Sequence, residues 1–260
     1  MYLLISVLIF QGCYQNNIDC TDPFAVNFNP LADENCTDCC ENPKVKLTFR
    51  HLRDSLLYRS SDTFENKFNQ LYKLADIQYY ISGFRMINSK GIAVNPEDEI
   101  SYTSNQGQNV FYPDDHIIIR TNAVDYSMYG IRTSGEFSSV GFRIGWDPIL
   151  VSAAKLNVVE SHPLSEKLRL KDNEGKTVGI SFKLIHGEQF KDTTSFFVPA
   201  SQSPEPVYFQ FPFVIRKGVS PVFTVTASYE KWFFDTDLSE SEQAIKSRFF
   251  GNIGKAFSVK

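Results

Sequence analysis

The sequence predicts an all-β fold, a β-sandwich of about seven or more antiparallel strands with a short C-terminal helix. Three observations carry that expectation. Apolar and polar residues alternate with a period of two in several short runs, as a strand with one buried face requires. Phe and Tyr are abundant, 23 and 12 of 260 residues, and Ile and Val are plentiful, a composition that suits strands better than helices. The clearest helix start comes late, where Ser239-x-x-Glu242 reads as a capping box ahead of Ile245, Phe249 and Ile253, spaced four apart.

In chain order, Val45, Leu47 and Phe49 alternate with Lys44, Lys46, Thr48 and Arg50, and His51 falls next on the apolar parity. Phe64, Phe68, Leu71 and Tyr72 have helical or irregular spacing and lead into a second strand-like run over 77–87. Polar residues from Asn95 to Asn109 predict a long loop, followed by a strand at His116-Ile117-Ile118-Ile119-Arg120. Val140, Phe142 and Ile144 alternate again and stop at Gly145-Trp146-Asp147-Pro148, while 149–176 lacks a pattern and places His162-Pro163 in a turn. Val178, Ile180, Phe182 and Leu184 form a further strand with His186 on their parity. Two more follow, at Val207 to Ile215 and at Phe223 to Tyr229.

Composition limits function. A net charge of −4 and a pI near 5.6 give no basic footprint for nucleic acid. No P-loop, GxGxxG, GxSxG or HExxH pattern is present. Asp114-Asp115 and Asp235/Asp237 are paired acids that acid-rich turns explain, and with no nucleophile–base pattern the expectation is a protein that is not an enzyme.

The N-terminal region predicts a compartment. An apolar run from Leu3 to Phe10 has the length of a signal-peptide core, well short of the ~20 residues of a membrane span. It ends in Leu8-Ile9-Phe10-Gln11-Gly12-Cys13, which resembles a bacterial lipobox, although no Lys or Arg precedes the run. The resemblance implies cleavage before Cys13, lipidation of its sulfur, and a chain tethered in the cell envelope of a Gram-negative bacterium, at the periplasmic or surface face of the outer membrane. Residues 1–13 are then the signal peptide, 14–43 a disulfide-rich spacer module, and 44–260 the main domain.

Cys20, Cys36, Cys39 and Cys40 are an even set in a short polar segment, which reads as a disulfide framework in an oxidising space with three possible pairings. A Cys39–Cys40 bond closes a strained ring between neighbours, so each of these two is expected to pair elsewhere. The stretch from Cys20 to Cys36 resembles a Cys-flanked motif, CTDPxAxNYNPxAxxxxxxC, of Gram-negative surface proteins. Its Asp and Asn oxygens could hold Ca²⁺, while Asp-Pro and Asn-Pro also simply set turns.

Four ordered landmarks carry a wider resemblance: Lys46-Leu47-Thr48-Phe49-Arg50-His51; Leu74 to Ile81, running on to Ser82; Val140 to Asp147; and Tyr229-Glu230-Lys231-Trp232-Phe233. Together they are similar to the MbnP-like domain, named for the methanobactin-associated protein P, over roughly residues 44–258. The resemblance implies an extracytoplasmic sandwich that binds copper in metal acquisition or handling, without turnover of its own. In characterised relatives the site combines His with a Trp oxidised to kynurenine, and the oxidant is a partner dihaem peroxidase-like protein. Imidazole suits copper, and the few Met residues give no Met-rich Cu(I) motif. Ligands would have to come from His51, His116, His162 and His186, with His51, His116, His186 and Trp146 as the candidate site and His51–His116 as the leading pair. Trp146 is one candidate for an oxidised residue and Trp232, in a structural-looking Lys-Trp-Phe context, the other. Where relatives carry a Trp- and His-rich middle stretch, this chain reads Lys171 to Phe182 and then Ser195-Phe196-Phe197. The alternative is a non-catalytic binding or scaffold module that has lost the metal. Converging histidines favour the first reading, scattered histidines with an exposed aromatic groove the second.

Overall fold

A computed structural model describes residues 15–36 and 38–260. The signal segment and Cys13 lie outside the described residues. Strands dominate. The N-terminal module contributes β1 (Ile18–Asp19) and β2 (Glu34–Asn35). The body opens with β3 (Lys44–Arg53), β4 (Leu56–Leu57), β5 (Phe64–Glu65) and the long β6 (Leu71–Asn88). Then come β7 (Glu99–Thr103), β8 (Asn109–Pro113), β9 (Ile117–Arg120), β10 (Asp125–Gly130) and β11 (Gly135–Ile144). After a single-turn helix α1 (Pro148–Val151) follow β12 (Lys155–Asn157), β13 (Val178–His186), β14 (Asp192–Pro199), β15 (Val207–Ile215) and β16 (Val222–Ser228). Helix α2 (Glu242–Ile253) and β17 (Phe257–Val259) end the chain.

The molecule is an all-β sandwich. One sheet has the order β10-β3-β16-β17, with β4 on β3. The facing sheet runs β14-β13-β6-β11-β15, with β5 and β9 also on β6. Alternation in sequence becomes alternation in burial: Val45, Leu47, Phe49 and His51 of β3 all point inward. Pairing within the body is antiparallel except between β16 and β3, which run parallel, a departure from the all-antiparallel expectation. The long excursion through the other sheet before β16 frees its direction, since no hairpin ties it to β3.

Tyr79, Phe84, Phe142, Phe182, Trp232 and Phe249 fill the space between the sheets. Helix α2 closes one end and buries Ile245, Phe249 and Ile253, as their spacing predicts. Its N-cap is Ser241, whose hydroxyl accepts from the Ala244 N–H; Ser239 instead donates its hydroxyl to Asp237. In β6, Gly83 takes φ +62 where the register with β11 shifts, a bulge that an L side chain would strain.

A second, smaller core lies behind the larger sheet. Tyr80, Ile118, Trp146, Leu150 and Leu164 build it, so neighbouring residues Tyr79 and Tyr80 serve opposite cores. The sheet β12-β7-β8 belongs to this layer. The expected loop over 95–109 is therefore partly strand: Ile100 turns inward while Ser101 and Thr103 stay near solvent, and their polarity masks the pattern. Over 149–176 the backbone is largely irregular, as expected, apart from α1 and β12.

Two disulfides, Cys20–Cys40 and Cys36–Cys39, staple the N-terminal module. It rests on the body: Asp22 pairs with Arg132 at 3.0 Å, Lys217 lies 4.9 Å above the Phe24 ring, and the Ala25 carbonyl packs on Gly218. Asp22 and Asn29 accept backbone N–H groups two residues on, so the motif's polar residues set its turns.

Candidate functional site behind the larger sheet

The turn between β8 and β9 places Asp114, Asp115 and His116 where the second core meets polar residues. Pairing of β9 with β6 anchors that turn through Ile117 to Arg120. From the other side, β11 ends at Ile144 and Gly145, with φ +120, redirects the chain so that Trp146 enters the same core. Asp147 then caps α1 by accepting the Ile149 N–H and also accepts the Tyr112 hydroxyl at 2.8 Å.

Asp115 is fully buried and ion-paired with Arg85, the charged partner that such burial demands. Its other oxygen stands 3.2 Å from His116 Nδ1. That contact is poorly directed, and neither ring nitrogen of His116 makes a hydrogen bond. Burial pushes the His116 pKa down, against the opposing pull of Asp115, Asp147 and Asp114, so the imidazole is held neutral. His162 reaches in from the irregular segment. Its Nδ1 accepts the Leu164 N–H at 3.1 Å, so Nε2 carries the proton and donates to Asp114 at 2.9 Å.

Trp146 is 2% exposed. Its ring lies 4.9 Å edge-on from Tyr80 and 6.3 Å from the His116 ring, with the Arg169 guanidinium 5.5 Å over its face. Trp146 also lines a surface cleft of about 710 Å³ bounded by α1, β12 and the segment 158–169.

The structure brings together His116, Trp146 and His162 of the sequence-derived candidates. His51 lies in the other core. Its Nδ1 is 2.7 Å from the Tyr229 hydroxyl, its ring stacks between Phe49 and Tyr229 at 5.8 Å each, and burial lowers its pKa to about 4. The expected His51–His116 pair does not form, because β3 turns its inward face toward the inter-sheet core while His116 serves the layer behind β6. His186, at the end of β13, is half-buried in a separate depression with Gln70, Leu71 and Asp192, 3.4 Å from the Thr194 hydroxyl. Arg85, Asp115 and Tyr112 gave no motif-level signal, since an acid pair before a strand reads as an ordinary turn.

Copper fits the His116 face in donor type but not as a finished coordination shell. One imidazole has both nitrogens without a hydrogen bond; the second, of His162, has both engaged. Among the described residues, Asp19, Cys36 and Cys39 form the only group of three His, Cys, Asp or Glu ligand atoms lying within 4.8 Å of one another. Their sulfurs are bonded to each other and offer no thiolate, and Asp19 already accepts from Asn29 and the Cys20 N–H.

No known protein family and no curated protein matches the sequence. The solved structure of MbnP from Methylosinus trichosporium shows a distant likeness, with a TM-score of 0.43 and 12% identity over 84% of this chain and 98% of that one.

Proposed function

We propose that this chain is a lipid-anchored binding protein of the Gram-negative cell envelope that takes copper at His116 and performs no turnover of its own. The observation that carries the reading is a buried, neutral imidazole with no hydrogen bond on either nitrogen, beside Trp146 and close to a second histidine. Neutral imidazole is the form copper accepts, and a depressed pKa removes the competition from protons. Completion of the ligand set then requires His162 to release Asp114, a local change in an irregular segment. Two disulfides in the N-terminal module agree with an oxidising compartment, and Cys13 is the proposed site of lipidation. A dihaem peroxidase-like protein is the proposed partner, with Trp146 the residue it oxidises. Calcium in the N-terminal module is not part of this reading, because Asp22 serves a turn and the ion pair with Arg132, and Asp19 already accepts from the Cys20 N–H and Asn29.

The test is the metal content of a soluble form lacking residues 1–13, made in an oxidising compartment and exposed to copper, zinc and calcium. Near-stoichiometric copper is expected, lost in His116→Ala and retained in His51→Ala. A folded wild type that takes no copper overturns the reading. A second reading, a binding module that has lost its metal, is favoured by one observation: no three-donor group forms at the His116 face among the described residues.

A further inference from the structure

The cleft beside Trp146 has a chemistry of its own, independent of any metal at His116. Its volume, about 710 Å³, is in the range of small-molecule sites, roughly 300–1,000 Å³. Its apolar lining at the surface is Val151, Leu156 and Val158, with Trp146, Leu150 and Ala200 almost fully covered beneath, and charged side chains make up much of the rest. Apolar side chains also continue out of the cleft's neighbourhood into solvent, with Ile149 49% and Val159 70% exposed.

The charges are not balanced. The lining carries four cations, Lys155, Lys167, Arg169 and Lys176, against two acids, Glu160 and Glu166. Glu166 pairs with Arg169 at 2.6 Å, and Glu160 makes only a solvent-exposed pair with Lys167 at 3.4 Å. Arg169 is committed to the floor, since Nε and Nη2 donate to the Leu164 carbonyl while the guanidinium lies over Trp146. Lys155 lines the cleft and forms no ion pair among the described residues. Lys176, also in the lining, pairs only with Glu174 outside it, both side chains about three-quarters exposed, where water leaves such a pair little strength.

We propose that this cleft binds an amphipathic organic anion, a molecule with a two-ring or branched apolar body and one acidic group. The body packs on Val151, Leu156 and Val158, above the covered Trp146, and the acid meets Lys155 and Lys176. A cationic or uncharged body of the same shape gains only the apolar part.

Two fluorescent probes with the same rings separate these terms: 8-anilinonaphthalene-1-sulfonate, an anion, and N-phenyl-1-naphthylamine, which is neutral. Titrated into the protein, the anion is expected to bind about tenfold more tightly, equivalent to about 1.4 kcal/mol. Lys155→Ala with Lys176→Ala should remove that preference and leave the neutral probe unchanged. Ala154→Trp, at an exposed position in the lining, should block both probes. His116→Ala should leave both affinities intact, which keeps this site distinct from the copper reading. Equal affinity for the two probes in the wild type overturns the proposal, as does anion binding that survives either the lysine replacements or Ala154→Trp in variants that melt like the wild type.

Discussion

Trp232 and Trp146 sit in one sandwich under opposite conditions. Trp232 is enclosed by rings of Tyr79, Phe182, Tyr229 and Phe249, with centroids 4.8 to 6.3 Å away, and is fully buried. Trp146 has two ring neighbours in that range, Tyr80 at 4.9 Å and His116 at 6.3 Å, with the Arg169 guanidinium over its face and only 2% of its surface exposed at the edge of the cleft. Neither indole N–H has a hydrogen-bond partner, so that feature alone separates nothing. What separates them is the company: the inter-sheet core is closed by aromatic packing, whereas the layer behind the larger sheet mixes apolar side chains with charges that other molecules can reach. The first region is built for stability, and the proposed binding falls in the second.

The comparison breaks most readily at the two tryptophans. Trp232→Ala leaves a void that packed neighbours cannot fill and should cost about 4 kcal/mol in chemical denaturation. Trp146→Ala opens onto a cleft that water can enter, and should cost about half as much. Equal losses would show that the second core is as closed as the first.

The next largest effect tests the charges. Asp115→Asn leaves the part-buried Arg85 guanidinium without its carboxylate and should cost about 3 kcal/mol, the usual scale for breaking a buried pair from one side. Adding Arg85→Met to it should recover part of the loss, so the two changes are non-additive in a double-mutant cycle. Strict additivity would mean that the pair contributes nothing as a pair.

His51 gives the inter-sheet core a pH dependence. Its folded pKa of about 4 lies below the ordinary value of 6.5, chiefly because burial disfavours the charged ring. Above pH 6.5 both states are neutral and the stability is fully present. As pH falls from 6.5 toward 4 the unfolded chain takes up a proton that the folded chain refuses, and up to about 3 kcal/mol is lost. The difference in unfolding free energy between wild type and His51→Gln should follow that window. A flat difference would mean that His51 titrates normally and that its cage of Phe49 and Tyr229 is wet.

These contrasts also explain what the sequence could disclose. Strands β3, β13 and β15 were legible because each has one inward face, and the period of two survives in Val45 to Phe49, Val178 to Leu184 and Val207 to Ile215. Strands β10 and β14 were not, since polar residues such as Asp125, Ser127, Thr193 and Ser195 interrupt their period; position at the end of a sheet is not the reason, because β15 is an end strand too. Trp146 and His116 could be singled out by residue type. His162 could not be joined to them, because 149–176 has no period and tertiary contacts alone set its path. His51 shows the opposite limit: its parity correctly puts it inside, but period-two logic does not say which of two cores a strand faces.

The smallest effect concerns where α2 begins. The spacing Ser239-x-x-Glu242 satisfies the capping-box pattern, yet Ser241 accepts the Ala244 N–H while Ser239 bonds locally to Asp237. A hydroxyl two residues nearer the helix meets its free N–H groups directly, so geometry overrides the motif. Ser241→Ala should therefore cost about 1 kcal/mol, and Ser239→Ala a few tenths. Because α2 inserts Phe249 among the rings around Trp232, the loss at Ser241 should appear in global unfolding. Probe binding at the Trp146 cleft should remain unchanged, since no residue of α2 lines it. A cap mutation that altered cleft binding as well would show that the two regions do not act separately, and the division of labour between them would have to be abandoned.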